Sequence, residues 1–281
     1  MDWTNFHNHC YYDDGKCSPK EHIEQAIKQN VDVLGFSCHA PLPFEAPWTL
    51  TRDKLSQYLA DINKLKKEYE NKIQVFLGLE IDYIPGVISP SMEEYKHMGL
   101  DYSIGSIHHL EQDETGMYIP VDGPEEMFVA GVKSVYKGNV RKAIETYYSF
   151  IEDMINLGGF DILGHLDLIK IRNNNNKYFS EDEKWYRDII IKIIGAIKRS
   201  ECIVEVNTGG MARKYIDTTY PSLWILEECL KKGIPITLNS DSHSPENIIF
   251  GFEKVAKDLI SIGYKEIFVL SENGWKPRAL A

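Results

Sequence analysis

Six of the seven short apolar runs that read as β-strands in this chain are followed directly by a side chain that binds metal ions. The runs are Trp3–Phe6, Val33–Ser37, Gln74–Leu79, Tyr102–Ile107, Asp161–Leu163, Ile203–Val206 and Ile236–Leu238, with Ile267–Leu270 as a candidate eighth. His7, His9 and Asp14 follow the first, in "FHNHCYYDDGK"; His39 follows the second, in "GFSCHAP"; Glu80 follows the third, in "FLGLEIDY". His108 follows the fourth, in "GSIHHL", His165 the fifth, in "DILGHLD", and Asp241 and His243 the seventh, in "ITLNSDSH". Only the sixth, which ends in Asn207 of "EVNTGG", offers no such group. Residues i and i+2 of a strand point to one side, so His7 and His9 can bring both imidazoles to one point.

Helix-like segments separate these runs. Pro19–Gln29 starts after Ser18, with Pro at the first helical position and Glu21 placed to complete a cap. Arg52–Tyr69 carries Leu55, Leu59, Ile62 and Leu65 at helical spacing, and Val140–Leu157, Glu183–Ser200, Pro221–Lys232 and Pro245–Ile262 follow. Strands alternating with helices of this length predict parallel βα units, and seven or eight of them predict a closed or nearly closed barrel. An open doubly wound sheet is the alternative. The chain has no GxGxxG, GxxxxGK[ST] or GxSxG, so the usual phosphate loops and the nucleophile elbow are missing. Residues 110–138 read as an insertion after the fourth strand, and the four asparagines at 173–176 as a short polar loop. A length of 281 residues suits one α/β barrel, and residues 1–281 are expected to form a single domain.

In a parallel barrel the ends of the strands share the C-terminal face, where active sites form. A lone histidine after a strand is usually packed or hydrogen-bonded in place, but recurrence at equivalent strand ends points to joint metal binding. Imidazole and carboxylate together suit zinc, manganese or iron. His7, His9, Asp14, His39, Glu80, His108, His165, Asp241 and His243 are too many ligands for one ion, and Glu80 has two oxygens with which to bridge two. Two or three divalent ions are therefore expected. Such a set holds a hydroxide at neutral pH and clamps an oxyanion. His22 and His97 lie on helical segments and are read as surface residues.

The formal net charge of -11 repels phosphate backbones and argues against a general nucleic-acid partner. It leaves room for a small phosphorylated substrate, because bound cations make a site locally positive. No apolar run approaches a membrane span, and "MDWTNFHNH" has neither the basic nor the apolar segment of a signal peptide, so a cytoplasmic setting with no membrane partner is expected. The five cysteines are odd in number and include no CxxC pair, which predicts reduced, mostly buried thiols.

Taken together, the HxH, the second-strand His, the third-strand Glu, "SIH", "GH" and "SDSH" resemble the polymerase and histidinol phosphatase (PHP) family over nearly the whole chain. "HNHCYYDDGKCS", "DGPEEMF", "DILGHLDLIK", "YPSLWIL" and "SDSHSPE" are similar to motifs of its histidinol-phosphate phosphatase branch. The resemblance implies a distorted (β/α)7 TIM-like barrel with a trinuclear metal centre that hydrolyses phosphate esters. Carried over by position, His7, His9, Glu80 and Asp241 would hold the first ion. Glu80, His108 and His165 would hold the second, and Asp14, His39 and His243 the third. Many members have His where this chain has Asp14, and Asp13 is the alternative. His109 is expected to point away from the site, by strand alternation from His108.

The activity implied is hydrolysis of L-histidinol phosphate, a step of histidine biosynthesis, by in-line attack of a hydroxide bridging two ions. Asp241 or His243 would accept or relay the proton. Arg213, on "NTGGMARKY" where Gly209 and Gly210 allow a sharp turn, is the candidate phosphate contact. The competing readings are a PHP phosphoesterase for another small ester, a polymerase-associated nuclease module, a metal-dependent amidohydrolase, and an inactive scaffold.

Overall fold

The computed structural model describes residues 3–280, so the expected domain span of 1–281 passes its described limits at both ends. In chain order the elements are β1 (Trp3–Asn5), α1 (Pro19–Lys28), β2 (Val31–Phe36), α2 (Arg52–Tyr69), β3 (Gln74–Asp82), α3 (Glu93–Lys96) and β4 (Tyr102–Ser106). Next come β5 (His109–Gln112), β6 (Tyr118–Pro120), α4 (Glu125–Val135), α5 (Val140–Leu157), β7 (Ile162–Leu163), α6 (Lys184–Ser200) and β8 (Ile203–Asn207). The chain ends with α7 (Gly209–Ala212), α8 (Leu223–Lys231), β9 (Ile236–Asn239), α9 (Phe252–Ile262), β10 (Glu266–Ser271) and β11 (Gly274–Ala279).

Seven strands pair in the order β1-β2-β3-β4-β7-β8-β9, every pair parallel. The sheet nearly closes: beyond the strand ends Asn8 bridges Ser242, with His9 N–H donating to Ser242 O at 2.8 Å and Ser242 N–H to His7 O at 3.1 Å. The mixed α/β fold is thus the TIM-like barrel expected, and the open sheet is ruled out. The closing bridge lies among the ligand-type residues, so the segments that close the barrel also carry His7, His9, Asp241 and His243.

Local sequence explains the layers. Ser18 and Glu21 form the capping box at the start of α1. Along α5, Ala143, Ile144, Tyr147, Tyr148, Ile151, Met154 and Ile155 recur at helical spacing and form its buried face. Inside the barrel Tyr102 spans the gap left by Gly35 and Gly78, where a Cβ would lie 2.3 Å from its hydroxyl oxygen and 2.6 Å from its ring, respectively, and it packs against Phe6.

Three expectations are corrected. Ile267–Leu270 is no eighth barrel strand: it lies in β10, which pairs antiparallel with β11 in a separate hairpin. That hairpin places Trp275 against Phe6 and Tyr102, with ring centres at 5.1 and 6.4 Å. The segment 245–262 is not one helix. It breaks into a short 3-10 turn and α9, because Gly251 takes a φ of 75°, a left-handed conformation suited to glycine. His22 is fully buried on the inner face of α1, between Pro19, Ile23 and Ala26, and its Nδ1–H donates to Ser18 O. His97 is exposed, as expected, and pairs with Glu93. Residues 110–138 do form an insertion, the β5–β6 hairpin followed by α4.

Candidate metal centre

The strand ends deliver the expected side chains to one place. Glu80, on β3, is 1% exposed and sits at the middle. Its Oε2 lies 2.9 Å from His39 Nδ1, 3.1 Å from His7 Nε2 and 3.6 Å from His9 Nε2. Its Oε1 lies 3.0 Å from His165 Nε2 and 3.6 Å from His108 Nε2, and accepts from Ser106 Oγ at 2.6 Å. Asp241 Oδ1 is 3.3 Å from His9 Nε2 and 3.8 Å from His7 Nε2. Asp14 Oδ1 is 3.2 Å from His243 Nε2. Three groups have ligand atoms mutually within 4.8 Å: His7, His9 and Asp241; His39, Glu80 and His108; and His9, Asp14, His39 and His243. These overlap the three sets implied by resemblance, except that Glu80 is not in the group of His7, His9 and Asp241, His39 joins Glu80 and His108 where His165 was expected, and His9 joins the Asp14 group.

Carboxylates behind the rings fix their orientation. His7 Nδ1–H donates to Glu205 Oε1 at 2.6 Å, His9 Nδ1–H to Asp13 Oδ2 at 2.7 Å, and His108 Nδ1–H to Asp82 Oδ1. A carboxylate only accepts, so in each neutral ring the proton sits on Nδ1 and the Nε2 lone pair faces Glu80. Glu205 Oε2 also accepts the backbone N–H of His165 at 2.8 Å. The sequence reading missed Glu205 and Asp82 and treated Asp13 only as an alternative ligand. For Asp82 the signal was available: in "EID", Glu80 and Asp82 are i and i+2 and share a side of the strand.

The group of Cys10, Asp13 and Cys38 also has close donor atoms. There, however, Asp13 is bonded to His9 and to the backbone N–H groups of Cys10 and His39, and the two thiols contact each other at 3.3 Å. That cluster is satisfied without an ion.

The fit of this donor set to cations shows in what it leaves unbonded. His7 Nε2, His9 Nε2, His39 Nδ1 and Glu80 Oε2 are buried and make no hydrogen bond. Such orphaned groups are costly unless something else satisfies them. Charge tells the same story. Burial disfavours ionised Glu80, yet the imidazoles of His7, His39, His108 and His165 hold its carboxyl well below the usual range. Burial likewise disfavours charged His7, but Glu205, Glu80 and Asp241 push it well above the ordinary histidine value. His108 is pushed up to about 10 against burial, chiefly by Asp82 and Glu80. The carboxylates demand positive charge here, and divalent ions supply it without protonating the ligands.

Arg213 lines the cavity and is no solvated surface charge. Its Nη2–H donates to Asp241 Oδ2 at 2.8 Å and its Nη1–H to Asp241 O at 3.0 Å. Burial opposes the ionised form of Asp241, but Arg213 above all, with His7, His9 and His243, holds its carboxyl well below the usual range. Gly209 and Gly210 make no sharp turn; they begin α7, and neither has a positive φ. What Gly209 supplies is space, since a Cβ there would lie 2.8 Å from Arg213 Nη2 and 2.9 Å from Asp241 Oδ2.

His109 is also corrected. β4 ends at Ser106 and β5 begins at His109, so strand alternation does not run between them. His109 therefore faces the cavity, with Nδ1–H on Asp82 Oδ2 at 3.1 Å and its ring alongside Trp48. The cavity holds about 290 Å³ and is bounded by the ligand-type residues, Trp48, Asp122, Arg213 and Tyr215.

The PHP domain family matches residues 5–209. A histidinol-phosphatase of Bacillus subtilis is 28% identical over 83% of this chain and 90% of its own length. A probable histidinol-phosphatase of Deinococcus radiodurans is 28% identical over 89% of both chains. The crystal structure of histidinol phosphate phosphatase from Lactococcus lactis, complexed with zinc, L-histidinol and phosphate, superposes with a TM-score of 0.73 at 21% identity, over 98% of this chain and 99% of that one. The family match takes in every ligand-type residue from His7 to His165 and stops short only of Asp241 and His243, which β9 brings back to the same cluster. On that match, and on the barrel that carries it, this chain belongs to the PHP domain family.

Proposed function

We propose that this chain is a metal-dependent phosphomonoesterase that hydrolyses L-histidinol phosphate to L-histidinol and phosphate. The observation that carries the reading is the set of buried, unbonded imidazole and carboxylate atoms converging beside a small cavity. The names of the relatives and the ligands of the L. lactis structure support the substrate. His7, His9, Glu80 and Asp241 would hold one divalent ion, Glu80, His108 and His165 a second, and Asp14, His39 and His243 a third. Zinc, manganese and iron all suit these donors. Bound there, the ions would supply Lewis-acid charge for the phosphate oxygens and make water acidic enough to attack at neutral pH.

The chain's own groups divide the remaining work. Arg213, braced on Asp241, presents its guanidinium to the cavity, where a phosphate oxygen can accept from it. Asp241 would take up the proton lost by the attacking water and, kept a weak base by Arg213, would pass it to the oxygen of the departing L-histidinol as the P–O bond breaks. His243 stands beside that path, its Nδ1 3.0 Å from Asp241 O and 3.1 Å from Arg213 Nη1. Trp48 and His109 form an aromatic wall for the organic part of the ester.

In the same reading residues 1–281 act as one domain in the cytoplasm, on a small molecule and with no nucleic-acid or membrane partner. Among the described residues no helix is long and apolar enough to cross a membrane. The test is phosphate release by the metal-loaded protein from a substrate panel. kcat/KM should favour L-histidinol phosphate over p-nitrophenyl phosphate and sugar phosphates, and equal values across the panel would reject the specific reading. Arg213→Ala should lower kcat/KM for L-histidinol phosphate by roughly one to three orders of magnitude without releasing metal.

A further inference from the structure

Of the carboxylates lining the cavity, three are engaged. Asp14 faces His243, Glu80 lies among imidazoles, and Asp241 is held by Arg213. The fourth, Asp122, is exposed, accepts no hydrogen bond and forms no ion pair among the described residues. Its backbone is nonetheless fixed. Val121 N–H donates to His108 O at 2.8 Å, and Arg172 Nη1–H donates to Val121 O. Asp122 is therefore held at the rim by the residue before it, tied on one side to the metal-binding region and on the other to the outer groove. Arg172, Lys177 and Lys214 line that groove beside it, and none pairs with it; Lys177 pairs with Glu125 at 2.7 Å. Its charge still reaches inward, where it helps to raise both His108 and Arg213.

We propose that Asp122 is a specificity residue that binds a primary ammonium on the leaving group of the phosphate ester. This rests on the reading of the cavity as a phosphomonoesterase site. Arg213 lines the cavity, and the metal-binding donors beside it would carry positive charge once loaded, so that part takes the phosphate. The exposed rim of the same cavity carries an unpartnered carboxylate. A substrate with a phosphate dianion and, a few bonds away, an ammonium matches both features at once. A neutral alcohol leaving group leaves Asp122 without its cation, and an anionic one is repelled by it.

The test is a substrate-by-mutant cycle on the metal-loaded protein. Two ester pairs differ only in the amine: L-histidinol phosphate against its deaminated analogue, 3-(imidazol-4-yl)propyl phosphate, and O-phosphoethanolamine against ethyl phosphate. The readout is the aminated-to-deaminated ratio of kcat/KM, in which any general loss of folded or metal-loaded protein cancels. The wild-type chain should favour the aminated member of each pair. Asp122→Asn should lower the ratio about 10- to 100-fold, the range of a lost charge-assisted hydrogen bond, and Asp122→Lys should lower it further. A wild-type ratio near one, or a ratio that neither variant moves, overturns the proposal. If L-histidinol phosphate proves no better than O-phosphoethanolamine while the ratio still collapses in Asp122→Asn, the histidinol phosphate reading falls and the role of Asp122 stands. If L-histidinol phosphate is strongly preferred and the ratio ignores both variants, the reverse holds.

Discussion

Two clusters of buried charge lie on this barrel, and they are built on opposite principles. Around Lys170, which is fully buried, Nζ donates to Asp167 Oδ2 at 2.8 Å, to Thr219 O at 2.9 Å and to Ser222 Oγ. Three donors meet three acceptors, and Asp167 Oδ2 also accepts the backbone N–H of Ser222 at 3.0 Å; only Asp167 Oδ1 lacks a partner. Around Glu80 the polar atoms approach just as closely, yet several make no hydrogen bond at all. The first cluster neutralises itself and ties the residues before α8 to the turn after β7. The second needs added charge to be satisfied. Burial and short distances are common to both, and each holds an unbonded atom, so none of these alone marks a functional site; the convergence of several unbonded donor atoms around Glu80, against the single Asp167 Oδ1, does.

The comparison breaks hardest at its two central residues. Glu80→Gln keeps the shape and removes the bridging charge. It should lose bound metal and at least about 1,000-fold in kcat/KM, while still folding and losing less stability in the metal-free form than Lys170→Met does. Elemental analysis should find more than one equivalent of transition metal in the wild-type protein and a clear deficit in the variant; at most one equivalent in reconstituted wild type would sink the multinuclear reading. Lys170→Met should do the opposite. It strands Asp167, whose carboxyl burial already pushes up, and should cost about 3–5 kcal/mol in denaturant unfolding at neutral pH, less in acid, where Asp167 takes up a proton. Metal content per folded molecule should stay at the wild-type level. Equal loss of stability in both variants would erase the distinction.

The sequence made the Glu80 cluster legible and left the Lys170 cluster hidden, for a physical reason. Ligand-type residues recur at a fixed place, the strand end, and a repeated position is visible without coordinates. The barrel, five of its principal helices within two residues at either end, and all nine ligand-type positions were open to that logic. Lys170 pairs with residues 49 and 52 positions away on an irregular segment, and no periodicity announces such a contact. Glu205 escaped for another reason: a lone acid inside a strand looks like an outward-facing residue until the partner strand shows which side is buried. His22 and His109 failed where a local rule was carried past its element, the helix surface in one case and strand alternation in the other.

Glu205 sharpens the comparison because it belongs to both principles. It is fully bonded, to His7, His165, Asn207 and Asn239, yet its task is to aim a ring whose other nitrogen is left unbonded. Glu205→Gln should weaken metal retention or kcat/KM about 10- to 100-fold, far less than Glu80→Gln, as expected of a group behind a ligand. Metal titration against a competing chelator checks the affinity. A loss as large as that of Glu80→Gln would mean that Glu205 itself supplies a ligand.

The smallest expected effect is on pH dependence, and it separates the two clusters without a mutation. In the metal-free protein His7, His9, His108 and His243 all have pKa values raised above the 6.5 of a free histidine. Their contribution to stability is complete below pH 6.5 and is lost as pH rises through the folded values, about 10 for His108. Glu80, Asp13 and Asp241 are lowered from 4.5, 3.8 and 3.8, so their contribution is complete above those values and is lost in acid. Metal-free protein should therefore be most stable between about pH 4.5 and 6.5 and decline towards pH 9, with Tm falling by about 5 °C. Loaded protein should behave differently, because protons and metal compete for the same nitrogens and metal binds more tightly as pH rises from 5 to 8. The gap in Tm between loaded and metal-free protein should widen steadily across that range in differential scanning calorimetry. A gap that stays constant with pH would mean that the imidazoles around Glu80 are not the groups the metal displaces protons from.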